Sequence, residues 1–420
     1  MDRKRMSRRK FLARSAGAAA ATGVSLTAAS YARAADANDR IGVGLIGCGG
    51  RSGSHHNVIR QLRRKGENIE IVAVCDAYRP RAEARAQGTS ARVYMDHREL
   101  LADPAVDIVC IASPDHHHAQ QTIDAVEAGK DVYCEKPISH WRQFEITKKM
   151  ARAVKEHKRI FQAGTQGLAE PVWERAAALV REGAIGQPVH AQWGYFRVGD
   201  WGERGMPIPD PNAKPGDDLL WETFLGDSPK RPFDISRFFR WRMYLDYAGG
   251  PSTDLFPHTL SPIVKVLGVG FPSKVVATGG KFRYEEREVP DTFNMLIDYP
   301  EKITVAVLGT QANDYGIPNV VRGWEATVLF EDPGIVIEPA AESKTKRQEI
   351  TVRRSTAAEG GRSALEDHWR NFLHCCRTRE KPLGDIELAY HVQTALQMGL
   401  LSLLNEKVAL FDPEREEIVL

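Results

Sequence analysis

Between residues 40 and 165, short apolar runs alternate with stretches whose apolar positions recur every three to four residues. Arg40 to Ile46, Ile69 to Cys75, Ala105 to Ala112 and Val132 to Cys134 are nearly continuous runs of Val, Ile, Ala and Cys, as buried strands require, whereas His56 to Arg64, Ala119 to Ala128 and Phe144 to Glu156 carry a helical period. Strand and helix in alternation predict an α/β unit over 39–163, built on a doubly wound parallel sheet.

Past residue 164 the pattern changes. Val172 to Glu182 is an amphipathic helix, and Val189 to Phe196, Lys274 to Gly279, Phe293 to Tyr299, Ile303 to Gly309 and Glu325 to Phe330 are strand-like, several alternating apolar and polar side chains. An α+β unit over 164–420 is expected, with helices and an open, mostly antiparallel sheet whose second face is solvated or covered by a partner. Ala364 to Asn405 reads as two packed helices about the turn Pro382, Leu383, Gly384. The segment 199–247 fits neither pattern. It is rich in Pro, Gly, Asp and Arg and holds Trp201, Trp221, Phe224, Phe238, Phe239 and Trp241. A loop of this length is functional or disordered, and its aromatics argue against disorder. Most of the rings are expected to anchor it. Since aromatic faces stack on sugar rings and arginines bond hydroxyls, Arg240, Trp241 and Arg242 are the candidate substrate contacts.

The first 34 residues stand apart from both units. Ser7, Arg8, Arg9, Lys10, Phe11 and Leu12 form a twin-arginine pattern, a weakly apolar Ala, Gly and Thr stretch follows, and Ala32, Arg33 and Ala34 suit a cleavage site. Residues 1–34 are therefore expected to be an export signal, and the mature protein to be periplasmic or secreted. The segment holds eight Lys and Arg against one acid, so the formal +2 of the whole chain becomes −5 without it. A mildly acidic chain without a basic cluster points away from nucleic acid. No apolar run is long enough to span a bilayer. Of the six cysteines, Cys48, Cys75, Cys110 and Cys134 fall at or just past strand ends and Cys375 and Cys376 on a helix, so they read as small buried apolar residues rather than disulfide partners.

Candidate chemistry gathers where the strands of the first unit end. After the first comes Gly47, Cys48, Gly49, Gly50, Arg51, Ser52 and Gly53, a turn suited to cradling phosphate although Ser52 stands where a third glycine is usual. Asp76 closes the second strand at the interval where an acid takes ribose hydroxyls, which favours NAD, while Arg79 nearby leaves NADP open. Ser113, Pro114, Asp115, His116, His117 and His118 follow the third long run. Consecutive histidines diverge, so no metal is assigned to them, and one is expected to face inward. Val132 to Cys134 leads into Glu135, Lys136 and Pro137, placing a charged pair at a buried strand end, and Lys136 emerges where such sheets bind ligands. In the second half Asp254 and His258 are spaced to share a helix face, a pair in which the acid tunes the imidazole near neutrality as a proton acceptor.

These residues resemble the glucose-fructose oxidoreductase and inositol dehydrogenase family, Gfo/Idh/MocA. The likeness rests on the Gly47 to Gly53 turn, Asp76, the Pro114 to His118 loop, Cys134 with Glu135, Lys136 and Pro137, the segment Gly164, Thr165, Gln166, and Tyr247, Ala248, Gly249, Gly250 leading to Asp254 and His258. Pro257, Ser261 and Pro262 depart from the family pattern. The resemblance implies a Rossmann domain contacting cofactor through Gly47, Gly49, Gly50, Arg51, Ser52, Asp76, Ser113, Pro114, His118, Glu135, Lys136 and Gln166. It further implies a cis peptide before Pro137, catalysis by Lys136, Asp254 and His258, and a dimer or tetramer. The function expected is oxidation of a hydroxyl on a sugar or polyol with a tightly bound nicotinamide cofactor. Cleavage of glycosides through transient oxidation without net redox change, and a sugar sensor without turnover, are the alternatives.

Overall fold

The computed structural model describes residues 40–199, 206–352 and 363–420. Residues 1–34, expected to be an export signal, and Trp201 lie outside the described residues.

Six parallel strands form the first sheet: β1 (Ile41–Ile46), β2 (Ile69–Cys75), β3 (Arg92–Tyr94), β4 (Ile108–Ile111), β5 (Asp131–Cys134) and β6 (Phe161–Ala163), in the order β3-β2-β1-β4-β5-β6. Strand order reverses between β1 and β4, and the crevice beyond their carboxyl ends is where such sheets take ligands. The central strands are buried throughout, which explains their nearly continuous apolar runs. The third run is shorter than its sequence suggests, because residues 105–107 approach β4 as a loop. β3 and β6 span three residues each and escaped the sequence pattern.

The second sheet is mixed and mostly antiparallel. Its strands are β7 (Pro188–Val198), β8 (Lys274–Gly280), β9 (Thr292–Tyr299), β10 (Ile303–Thr310), β11 (Ala312–Asn313), β12 (Val320–Gly323), β13 (Ala326–Glu331), β14 (Gly334–Pro339), β15 (Gln348–Thr351), β16 (Ala409–Asp412) and β17 (Glu417–Val419). The order is β15-β14-β13-β12-β7-β10-β9-β8-β16-β17, with β11 beside β7, and β7 and β10 run parallel. One face packs on the helices Pro171–Arg181, Phe256–Leu267 and Ile386–Asn405 around Phe256, Leu260, Phe293 and Leu396. On the other, Val276 and Leu296, cross-strand partners on β8 and β9, are exposed.

Two later pieces of chain return to the first sheet. The helix Ala364–Thr378, capped by Ser363, brings Trp369, Phe372 and Leu373 into the core beside Tyr133. The helix Ile386–Asn405, capped by Asp385, sends Gln393 and Gln397 to Ser139 and His140. Within 206–247 the expected irregular loop contains two short helices, Trp221–Leu225 and Ile235–Phe239. Their rings pack on Tyr78 from the loop after β2. Leu219 forms a β-bridge with Tyr78, Leu220 N donates to the Ala77 carbonyl (2.9 Å), Arg79 N donates to that of Asp218 (2.9 Å), and the Tyr78 hydroxyl donates to Asp210 (3.2 Å). The insertion thus straps the loop that follows β2.

Candidate active site

β1 delivers the chain to Gly47 at φ +82°, where a Cβ would stand 2.4 Å from the Ser113 nitrogen; only glycine passes over the end of β4. A Cβ on Gly49 or Gly50 would meet nothing within 4 Å, and no side chain caps the helix Gly50–Arg64. Ser52 Oγ is buried without a partner. An open turn, uncapped helix N–H groups and an orphaned hydroxyl fit the pyrophosphate of a dinucleotide.

Asp76 is already engaged. Its Oδ2 accepts from Cys48 N (2.8 Å), and its Oδ1 accepts from Tyr78 N (2.9 Å) and Arg81 (3.3 Å). Oδ2, with one partner, keeps capacity for a ribose hydroxyl. Arg79, the residue that left NADP open, pairs with Asp218 of the insertion (2.9 Å).

The loop after β4 splits its histidines. His116 and His117 both bond the Phe224 carbonyl (2.7 and 2.8 Å). His118 turns inward between the carbonyls of Pro137 (2.6 Å) and Ser113 (2.8 Å), clamping the ends of β4 and β5. Ser113 Oγ donates to Gln121 (2.7 Å), and Pro114 precedes the 3-10 turn Asp115–His117.

The Lys136–Pro137 peptide is cis, as the resemblance implied. Lys136 Nζ crosses to the second half, donating to the Asp254 carbonyl (2.5 Å) and to its Oδ1 (2.6 Å). Arg242 Nε lies 3.5 Å from the same Oδ1. Burial alone would raise the Asp254 carboxyl, but the Lys136 and Arg242 charges outweigh it and hold it well below the usual carboxylate range.

His258 departs from the expected arrangement. Asp254 ends the short helix Pro251–Asp254 and His258 lies in the first turn of the next, Phe256–Leu267, where Pro257 is accommodated without loss of a hydrogen bond. The carboxylate of Asp254 goes to Lys136 rather than to the imidazole. Nor is His258 tuned near neutrality: burial first, then the Lys136 charge, push it down to about 4. A neutral imidazole therefore shares the field of Lys136, Glu135 and Asp254.

Glu135 faces the other way. Its Oε1 accepts from Arg51 Nε (2.7 Å) and pairs with His55 Nε2 (2.8 Å), while Arg51 also donates to Gln166 Oε1 (3.1 Å). Trp369 Nε1 donates to His55 Nδ1 (2.9 Å), so the neutral imidazole carries its proton on Nε2 and donates it to Glu135. Burial would raise Glu135, and the Arg51 charge with the His55 bond holds it far below.

Of the expected substrate contacts, only Arg242 reaches the Lys136 and Asp254 pair. It stacks over Trp241, which is buried, and Arg240 is spent on the Met206 carbonyl (2.9 Å). Trp221, Phe224, Phe238 and Phe239 anchor the strap. Sequence reasoning missed Asp115, His55 and Trp369. Asp115 lay inside a loop already singled out, behind more conspicuous histidines.

An open phosphate turn in a doubly wound sheet, joined to a second sheet at a crevice lined by Lys, Asp and His, defines a dinucleotide-binding architecture. Residues 41–165 match the family model described as "Oxidoreductase family, NAD-binding Rossmann fold", GFO_IDH_MocA. Inositol 2-dehydrogenase 1 of Saccharopolyspora erythraea is 34% identical over 149 residues, 35% of this chain and 43% of that protein. Inositol 2-dehydrogenase of Rubrobacter xylanophilus is 31% identical over 153 residues, 36% and 43% of the two chains. The chain thus spans less than half the length of these curated relatives. Among solved structures, levoglucosan dehydrogenase in complex with NADH and levoglucosan superposes with a TM-score of 0.66 at 21% identity, covering 88% of this chain and 98% of that one. The WlbA dehydrogenase of Bordetella pertussis in complex with NADH and UDP-GlcNAcA gives 0.66 at 19%, covering 89% and 98%. The fold is shared across both units.

Proposed function

We propose that the protein is an NAD-dependent oxidoreductase of the Gfo/Idh/MocA type that oxidises a hydroxyl of a sugar or polyol. The observation that carries this reading is the seam itself: Lys136 from the first sheet meets Asp254 of the second half at 2.6 Å, in reach of the charge field at His258 and beside an open phosphate turn.

The open turn at Gly49 and Gly50, the helix after it and Asp76 would hold the dinucleotide, which would supply a hydride acceptor when bound. The rest falls to the chain. Lys136, fixed by Asp254, sets its ammonium against the oxygen of the reacting hydroxyl and eases loss of its proton. His258, neutral because it is buried beside Lys136, accepts that proton. Arg242 holds the second carbohydrate oxygen and completes the wall against water. Export through the twin-arginine signal and a nucleotide retained on the protein belong to the same proposal, since free NAD is scarce outside the cytoplasm. Exposed Val276 and Leu296 support a homo-oligomer formed through the outer sheet face.

Denaturing the purified protein and identifying the released nucleotide, then following nucleotide absorbance and glycoside cleavage with inositols, anhydrosugars and glycosides, tests the reading. Nucleotide reduction coupled to an oxidised polyol is the expected result. Cleaved but unoxidised glycosides, or no turnover on any of them, would overturn it.

A further inference from the structure

Asp115 has no part in the mechanism above, yet its placement demands one. It is 2% exposed, and its Oδ1 has no hydrogen-bond partner among the described residues. The histidines that follow it bond the carbonyls of Phe224, Pro137 and Ser113, and although His116 Nδ1 is left without a partner it makes no hydrogen bond to Asp115. The charges that reach it come from each element around the crevice: Arg242 from the strap, Asp254 from the short helix and Lys136 from the end of β5. The Cys134 thiol in turn feels Asp115. Of the buried side-chain atoms without a partner among the described residues, Asp115 Oδ1 is the one carboxyl oxygen, and it stands beside the cations of the crevice, where a ligand atom can complete it.

Burial decides its state. Lys136 is in contact with Asp254, and Arg242 leans on the same oxygen. Asp254 holds the cations and the negative charge. Asp115 is left to burial, which pushes it up to about 8 against the pull of Arg242.

We propose that Asp115 is the protonated hydrogen-bond donor of the site, giving its O–H to a substrate oxygen next to the reacting one. Asp254 and Asp115 then form a complementary pair, one accepting and one donating. A ligand with adjacent oxygens, such as a vicinal diol, satisfies both, and a ligand lacking the second oxygen leaves Asp115 unpaired. The nature of the ligand rests on the oxidoreductase reading; the proton on Asp115 does not.

Two measurements separate these. Infrared difference spectra of wild type against Asp115→Asn, taken at about pH 6 and about pH 10 to bracket a raised carboxyl, need no turnover. A carboxylic acid C=O band at the lower pH that gives way to a carboxylate band at the higher is expected, and a carboxylate at both would overturn the proposal even if the enzyme oxidises polyols well. Kinetics on a vicinal diol form the second arm. Asp115→Ala should lower kcat/KM at about pH 7 by ~10-fold or more, while Asp115→Asn, which keeps volume and an N–H donor, should lose less than Asp115→Ala and should lose any alkaline fall owed to Asp115. Equal losses in both variants, or none in Asp115→Ala, would remove Asp115 from the donor role.

Discussion

Lys136 and Asp254 stand 118 residues apart in the chain and are bonded twice, through the Asp254 carboxylate at 2.6 Å and its backbone carbonyl at 2.5 Å. The pair couples the two halves of the fold where the chemistry is proposed. Lys136→Met should leave Asp254 buried with Arg242 alone and cost about 3–5 kcal/mol of stability. Lys136→Met with Asp254→Leu should recover much of that loss in denaturant unfolding without recovering turnover. A double variant no more stable than the single one would show that the pair does not join the halves.

The same pair sets a pH dependence. Because Asp254 is held below its ordinary value, the unfolded chain binds that proton more readily than the folded one. The stabilisation is complete above the ordinary carboxylate pKa of about 4 and is lost as the pH falls through the folded value. Thermal midpoints of Asp254→Asn should therefore decline less on acidification than those of wild type, and parallel curves would contradict this.

His258, pushed down to about 4, should be neutral throughout the physiological range, so an acid limb of kcat/KM near pH 4, rather than near the ordinary histidine value, is expected. His258→Asn should reduce turnover by ~100-fold or more. Imidazole resonances followed by NMR in Lys136→Met should titrate higher than in wild type, since a repelling charge is gone; an unchanged titration would mean that burial alone sets it.

Trp369 offers a finer test. Its ring stacks on Tyr133 at 4.8 Å and an interplanar angle of 4°, while its N–H donates to His55. Trp369→Phe keeps an aromatic ring and removes the donor, and should cost about 1 kcal/mol. With Nδ1 released, His55 is no longer confined to one tautomer, which NMR of its ring nitrogens reads directly. A single unchanged tautomer would show that Glu135 alone fixes it.

The strap gives the last expectation. Leu219 is buried against Tyr78, two residues from Asp76. Leu219→Ala should loosen the insertion and speed nucleotide release, measured by NADH fluorescence after mixing with excess NAD. Release at the wild-type rate would mean that the strap does not bear on the cofactor.

The frame of this fold was legible because central parallel strands are covered on both faces, so β1, β2 and β5 announce themselves as unbroken apolar runs. β3 and β6 span too few residues to show any period. Lys136 and Asp254 could be named as candidates from local motifs, but their bond is a long-range event no periodicity encodes. His258 was misjudged for a related reason: its spacing from Asp254 suggested a tuning partner, whereas Leu255 breaks the helix between them and burial, a property of the folded whole, sets the imidazole. The aromatics of the insertion were visible, but whether they face a ligand or Tyr78 depends on where the loop lands.

That landing has a kinetic corollary. The segment that fastens the loop after β2 through Leu219 also delivers Arg242 to Asp254, so one piece of chain closes the nucleotide end and lines the substrate end. Under the proposed function, in which the nucleotide is retained, small molecules would exchange while the dinucleotide stays, and each reduction would be undone in place by a second reactant using the same mouth. Initial rates with two such reactants should then give parallel double-reciprocal lines, the behaviour of an enzyme that shuttles between two stable forms.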